Sequence, residues 1–180
     1  MKKARVMITQ VCNRDCSYCC NTAEMMAMSE VKKLDSIRGF DEVMITGGEP
    51  LLRPEATEAI LDVLRRQNPD AKFYLYTAWC PRGHTDVMRS ILSKLDGIQY
   101  TLHTGSSEED IERFARMEEL VSRRRWGGPG EAFSARLYIV PGMWRRFNLQ
   151  PDSWTRIEKK PWVENCPLPE GETLITLETS

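Results

Sequence analysis

The densest chemistry in the chain is the run Cys12-Asn13-Arg14-Asp15-Cys16-Ser17-Tyr18-Cys19, three cysteines spaced C-x3-C-x2-C on one short loop. Three thiolates so placed can ligate three irons of a cubane cluster and leave the fourth iron open. An open iron can chelate the amine and carboxylate of a small molecule, which a site closed by four cysteines cannot do. Tyr18, directly before the third cysteine, can pack against a bound ring system. The competing use of such a loop is a zinc knot. Zinc usually takes four ligands in paired groups, and here there is no second C-x2-C pair, and His84 and His103 are the only histidines.

A second candidate site is Gly47-Gly48-Glu49-Pro50, which follows the apolar run Val43-Met44-Ile45-Thr46. Two glycines allow the backbone to approach a ligand closely and to take torsions closed to other residues. A carboxylate such as Glu49 can accept hydrogen bonds from an ammonium group. Taken alone, the four residues are also compatible with an ordinary tight turn between a strand and a helix.

The cysteine spacing, the aromatic before the last cysteine and the Gly-Gly-Glu-Pro turn one strand–helix unit later together resemble the radical S-adenosylmethionine (SAM) superfamily. The resemblance implies a [4Fe-4S] cluster on Cys12, Cys16 and Cys19, with SAM bound at the open iron. It further implies that Gly47, Gly48, Glu49 and Pro50 hold the amino group of SAM's methionine part. In such enzymes an electron from a flavodoxin or ferredoxin passes through the cluster to SAM. The 5′-deoxyadenosyl radical that forms takes a hydrogen atom from the substrate. By position at strand ends, Thr77 and Thr101 resemble residues that contact SAM's carboxylate and ribose. His103 is either a substrate or ribose contact on the same rim or a plain polar residue at the end of a strand.

On this resemblance the expected substrate is a small molecule or nucleotide-like metabolite. A partner protein on which a glycyl radical is generated is the alternative, but activating enzymes of that kind have a glycine-rich approach to the cysteine loop that is not seen here. Peptide-modifying members carry a cysteine-rich C-terminal extension, also not seen. Outside this class stand a non-catalytic iron–sulfur electron carrier or metal sensor, which would not need Glu49, and a zinc-binding interaction module.

Six cysteines occur, and four of them fall within the nine positions from Cys12 to Cys20. A disulfide framework would spread them more evenly, so the cluster reads as metal ligation in a reducing compartment. Cys20 is expected to be a spare thiol rather than a ligand, Cys80 a small apolar packing residue, and Cys166 a loop residue without a partner pair. The runs Arg123-Arg124-Arg125 and Arg145-Arg146 suit solvated helix ends better than a nucleic-acid surface.

These residues need a scaffold to bring them together, and the rest of the chain supplies one. Hydrophobic residues make up 41 % and charged residues 28 %, with a formal net charge of -1, an ordinary globular composition that gives no case for nucleic acid or an acidic membrane. No apolar run approaches the roughly 18 residues of a membrane span. A cytoplasmic protein is expected, since the apolar stretch behind the basic N-terminus is too short for a signal-peptide core.

Strands are expected at Arg5–Thr9, Glu42–Thr46, Lys72–Thr77, Gly97–Leu102, Ala135–Val140 and Thr173–Leu177, each short and rich in Val, Ile, Tyr, Thr or Leu. Helices fall between them. One lies within Ala23–Ile37. A second opens at Pro54 and stops near Asn68-Pro69. A third carries Met88, Ile91, Leu92 and Leu95. A fourth opens on the capping-box pair Ser106 and Glu109 and ends before Gly127-Gly128-Pro129-Gly130.

Such alternation implies a parallel sheet. Six units of about 30 residues each fall short of the roughly 250 residues of a closed eight-unit barrel. The expected fold is therefore α/β, an open partial (βα)6 barrel in a single core domain over 1–180. Residues 142–172 hold Trp144, Trp154 and Trp162 with Phe147 and several prolines. They are expected to form an irregular cover over the barrel's lateral mouth. In any parallel barrel, ligands sit where the strands end, and the cysteine loop, Gly47–Pro50, Thr77 and the Thr101–His103 stretch all fall at strand ends.

Overall fold

A computed structural model describes residues 1–16, 19, 21–103, 107–126, 133–140, 143, 150–159, 161 and 168–178. In chain order the elements are β1 (Lys3–Met7), α1 (Ala23–Ala27), β2 (Glu30–Lys32), β3 (Glu42–Thr46), α2 (Pro54–Gln67), β4 (Lys72–Thr77), α3 (Thr85–Ser93), β5 (Gly97–Leu102), α4 (Glu108–Trp126), β6 (Ser134–Ile139), β7 (Arg156–Lys159) and β8 (Glu172–Leu177). All eight strands join one sheet in the order β2-β8-β1-β3-β4-β5-β6-β7. Every pairing is parallel. The sheet stays open between β2 and β7, as an α/β partial barrel should.

Alternation along each strand gives the sheet two unlike faces. Ala4 and Val6 of β1, Val43 and Ile45 of β3, Phe73 and Leu75 of β4, Ile98 and Tyr100 of β5, and Ala135 and Leu137 of β6 are buried in the main core. Leu61 and Leu64 of α2, Ile91 and Leu92 of α3, and Phe114, Met117 and Val121 of α4 join them there. Each fully buried side chain of this size contributes about 1.5–3 kcal/mol relative to exposure. The residues between point the other way. Arg5, Tyr76, Gln99, Thr101 and Tyr138 line a cleft on the opposite face. Parallel sheets are usually apolar on both faces; this one keeps a polar concave side.

Among the described residues the sheet has eight strands, two more than the six expected. β2 is Glu-Val-Lys and β7 is Arg-Ile-Glu-Lys, both at the sheet's edges, where charge discourages further strand pairing. That same charge hides them from a hydrophobic pattern. β7 lies within 142–172, where no strand is expected. Trp154, in that same stretch, is a core residue, stacked on Phe114 with ring centroids 5.9 Å apart and tilted against Tyr100. Trp144, Phe147, Trp162, Arg145, Arg146 and Cys166 lie outside the described residues, as do Tyr18, Cys20 and Ser106.

Boundaries shift for local reasons. β1 starts at Lys3 rather than Arg5 because Lys3 pairs with Glu42 across the ladder and its Nζ sits 2.9 Å from that carboxylate. β6 likewise begins one residue early, at Ser134. The first helix is only five residues long, capped by Thr22 Oγ1 accepting from the Met25 N–H. The rest of Ala23–Ile37 holds β2 and a 3-10 turn at Leu34–Ser36. At α4 the capping pair is Ser107 with Asp110, one position on from the expected pair. The Ser107 N–H donates to Asp110 Oδ2 at 2.7 Å, while Glu109 pairs with Arg113.

The β1–β3 pairing continues past both strand ends and sets the site. The Ile8 N–H donates to Thr46 O (2.9 Å), Gly48 N–H to Thr9 O (2.7 Å) and Glu49 N–H to Val11 O (2.8 Å). Gly47 has φ 138, a conformation open mainly to glycine. A Cβ on Gly47 would stand 2.3 Å from Thr9 O, and one on Gly48 would stand 2.2 Å from Val11 O. The two glycines are needed because the chain leading into the cysteine loop passes directly over them.

Glu118 secures the other end of the sheet. It is buried, and its Oε1 accepts from the Gln150 N–H and from Trp154 Nε1, both at 2.8 Å. Burial raises its carboxyl pKa against those two hydrogen bonds.

Two outcomes follow from these contacts. Gly48→Ala should cost about 3 kcal/mol through overpacking, lowering the melting temperature by roughly 6–12 °C for a chain of this size; a melting curve unchanged by the substitution would contradict the close approach. Glu118→Ala strands two buried donors and should cost about 2 kcal/mol in denaturant unfolding, while Glu118→Gln, which keeps the acceptor, should cost clearly less. A raised folded pKa means stability is gained as pH falls from neutrality through that pKa toward the ordinary carboxylate value. The unaltered chain should therefore gain on Glu118→Gln on acidification over that window.

Candidate cluster and cofactor site

At the ends of the strands the polar face opens into a cleft of about 430 Å³. Cys12, Cys16, Cys19, Gly47, Gly48, Glu49, Thr77, Thr101 and His103 all line it. They come from the loop after β1, the turn after β3 and the ends of β4 and β5, so the rim expected from strand-end positions is brought together. Pro50 is the exception. It is buried as the first residue of a 3-10 turn, Pro50–Leu52, and lies under the turn rather than on the cleft wall.

Glu49 is 2 % exposed, and a buried carboxylate is tolerable only when hydrogen-bonded. Its Oε1 accepts from Thr77 Oγ1 at 2.6 Å and the Leu51 N–H at 3.0 Å, and its Oε2 accepts from the Ala78 N–H at 2.8 Å. Burial raises its pKa, opposed by these three donors and by the charge of Arg14. Two expected site residues, Glu49 and Thr77, are thus partners of each other. Thr77 Oγ1 in turn accepts from the Trp79 N–H at 3.0 Å. A carboxylate offers about four acceptor positions, so capacity for a further donor remains on Oε2.

The cysteine loop is tied to the same point. Arg14 donates from Nη2 to Ala78 O at 2.9 Å, so one residue receives the cysteine loop through its carbonyl and serves Glu49 through its N–H. Arg14 also forks onto Asp110 at the start of α4, at 2.5 and 3.4 Å. Burial pushes Asp110 up, but the Ser107 N–H and Arg14 outweigh it and the carboxyl ends below its usual value. Asn21 Nδ2 donates to Gly47 O at 2.5 Å and fastens the far side of the loop to the glycine turn.

The thiols sit in a mixed field. Burial raises the Cys16 pKa, the nearby Cys19 adds to this, and Arg14 pulls it down. Cys16 Sγ lies 3.7 Å from His103 Nδ1. Burial and then Arg14 lower the His103 pKa to about 4, so its ring is neutral at physiological pH and can offer one N–H. Cys12 and Cys19 are exposed, while Cys80 is buried in the core with its thiol pushed up to about 12 by burial. Cys80 is the inert packing residue the sequence implies. Among the described residues no three His, Cys, Asp or Glu side chains are already gathered around a single metal position.

The residues nonetheless suit an iron–sulfur cluster by their chemistry. Three thiols open onto one cleft, a largely buried cation stands within their loop, and Arg14 Nε is buried without a partner among the described residues. Soft thiolate donors are what such clusters take, and a buried cation favours an anionic neighbour.

Sequence reasoning did not single out Arg14, Asp110, Asn21, Tyr76, Gln99, Tyr138 and Glu158 as site residues. The last four line the cleft from β4, β5, β6 and β7. Arg14 had one available signal, a charged residue between two candidate ligands. Its partners lie 64 and 96 positions away, and no local spacing reveals them.

No protein-family model matches the chain. The GTP 3′,8-cyclase of Klebsiella pneumoniae is 32 % identical over 127 residues, covering 58 % of this chain and 38 % of that protein. The GTP 3′,8-cyclase of Actinobacillus pleuropneumoniae serotype 3 is likewise 32 % identical, covering 58 % of this chain and 36 % of its own length. Human molybdenum cofactor biosynthesis protein 1 is 29 % identical over 72 residues, 34 % of this chain and 11 % of its own. The chain therefore spans well under half the length of these curated relatives. No helix among the described residues is long and apolar enough to cross a membrane. A cysteine loop and a Gly-Gly-Glu turn locked together at one end of an open parallel sheet, with this likeness to the cyclases, support the resemblance to the radical SAM superfamily.

Proposed function

We propose that the chain is the core of an enzyme that cleaves SAM reductively and uses the resulting radical on a small, nucleotide-like substrate. The observation that carries this reading is the junction at Ala78, where the cysteine loop and Glu49 are hydrogen-bonded to one residue at the head of the cleft. Cys12, Cys16 and Cys19 would hold the [4Fe-4S] cluster. When bound, the cluster supplies one electron to SAM, whose carbon–sulfur cleavage yields the hydrogen-abstracting 5′-deoxyadenosyl group.

The chain's own residues position and shield. Glu49 keeps acceptor capacity for the ammonium of SAM, and its three internal donors fix it in place. Thr101, 8 % exposed, and Gln99 offer hydrogen bonds along β5, where the carboxylate or ribose of SAM would lie. Tyr76 and Tyr138 supply flat surfaces on either side of that strand. The apolar cluster of Met7, Met25 and Leu174 keeps water from the β8 side of the cleft. A flavodoxin or ferredoxin would deliver the electron.

Two observations favour a small substrate over a backbone glycine of a partner protein. A cleft of about 430 Å³ falls within the usual range for small-molecule sites. The two bacterial relatives named above are called cyclases of GTP, which supports a nucleotide-like molecule here.

Anaerobic reconstitution with iron and sulfide should load about four irons per chain and give broad absorbance near ~400 nm. Adding SAM should change the cluster's spectrum, and dithionite should then release 5′-deoxyadenosine. The triple Cys12→Ala, Cys16→Ala, Cys19→Ala variant should lose all three signals. A cluster indifferent to SAM identifies an electron carrier instead, and zinc in place of iron identifies an interaction module. A glycyl-radical doublet in paramagnetic resonance, formed on an added partner enzyme, would move the substrate from metabolite to protein.

A further inference from the structure

Arg14 has features that holding a loop in place does not require. Its side chain is 12 % exposed and that of Asp110 is 9 % exposed. Asp110 is itself fixed at the head of α4 by the Ser107 N–H. Removing two charges from water costs several kcal/mol per ion, and a buried pair is often no more stabilising than apolar residues of the same volume. A loop that needed only anchoring could be held by apolar packing, as Cys80 and Met88 are held nearby in the core.

This pair instead stands beside the candidate ligands. Arg14 is two residues from Cys12 and two from Cys16, shares their cleft wall, and keeps a buried N–H at Nε without a partner among the described residues. Charges shielded from solvent act over such distances with little screening by salt. Cluster potentials respond to net charge and to hydrogen bonds around the ligands.

We propose that the largely buried Arg14–Asp110 pair sets the reduction potential of the cluster held by Cys12, Cys16 and Cys19, Arg14 favouring the reduced form and Asp110 moderating it. The proposal rests on the radical SAM reading. Arg14 is a positioning residue in this scheme: it acts on the cluster through charge and through the loop, and touches neither substrate nor reacting atoms. Because a cluster gains one negative charge on reduction, a nearby cation makes that step easier. Asp110 opposes the effect from behind the guanidinium.

The test is a mediated potentiometric titration of the reconstituted chain, following the paramagnetic resonance signal of the reduced cluster. Arg14→Gln, which keeps a donor for Ala78 O, should make the cluster about tenfold harder to reduce, ~59 mV for a one-electron couple. Arg14→Lys keeps the charge and should stay within about threefold of the unaltered chain. Asp110→Asn should shift the potential the other way.

Melting of the apoprotein separates charge from fold. Both Arg14→Gln and Asp110→Asn break the same pair, so stability should fall in both while the potentials diverge. Potentials that coincide with the unaltered chain, or that move in the same direction in both variants, overturn the proposal. If Arg14→Gln takes up no iron, the sign of the Asp110→Asn shift decides alone. An unaltered chain that loads no iron defeats the enclosing reading as well. It is told apart from failure of this proposal, in which the chain loads normally and the variants' potentials do not diverge.

Discussion

A carboxylate sealed from water holds only where the chain surrounds it with donors, and the site depends on this condition at Glu49. To satisfy it, the turn after β3 must present the Leu51 N–H and the end of β4 must present Thr77 and Ala78. Ala78 then has its carbonyl left over, and Arg14 takes it. Three segments distant in sequence are fixed by the hydrogen-bonding requirements of one side chain. The glycines before Glu49 serve the same end from below, since they admit the backbone of Thr9 and Val11 into contact.

The sheet divides its labour by face. Its convex side, under α2, α3 and α4, carries nearly all of the buried apolar surface and so most of the stabilisation. Its concave side contributes little to the core and is free to carry polar groups such as Arg5, Tyr76, Gln99 and Tyr138. Arg5 illustrates how such a face remains stable: it is paired with Glu172 of β8 at 2.8 Å and lies over the Tyr76 ring. A parallel sheet can leave one side polar when its inward side chains answer one another across neighbouring strands.

Much of this was legible in the sequence, and the remainder has identifiable causes. β3, β4 and β5 fall on the residues expected, because interior strands are apolar runs bounded by turn residues. β2 and β7 were invisible because edge strands carry charge. The ligand candidates Cys12, Cys16 and Cys19 and the rim residues Thr77, Thr101 and His103 do converge, since a parallel barrel sends every strand end to one side. The two glycines line the cleft where a ligand is expected, and a Cβ on either would also meet the protein's own backbone; a glycine announces a close approach without naming what approaches. Arg14, Asn21 and Asp110 went unnoticed since their meaning lies in partners 26 to 96 positions away.

The hydrogen bonds from Gly48 to Thr9 and from Glu49 to Val11 act as a ruler. They measure off a fixed length of chain between the last ladder residue of β1 and the first thiol. A residue inserted between Met7 and Cys12 would slip every later loop atom out of step with the turn. The two segments therefore form one module in inheritance: a designer transplanting the thiol loop into another parallel sheet would have to carry the glycine turn along with it, cut at the same level.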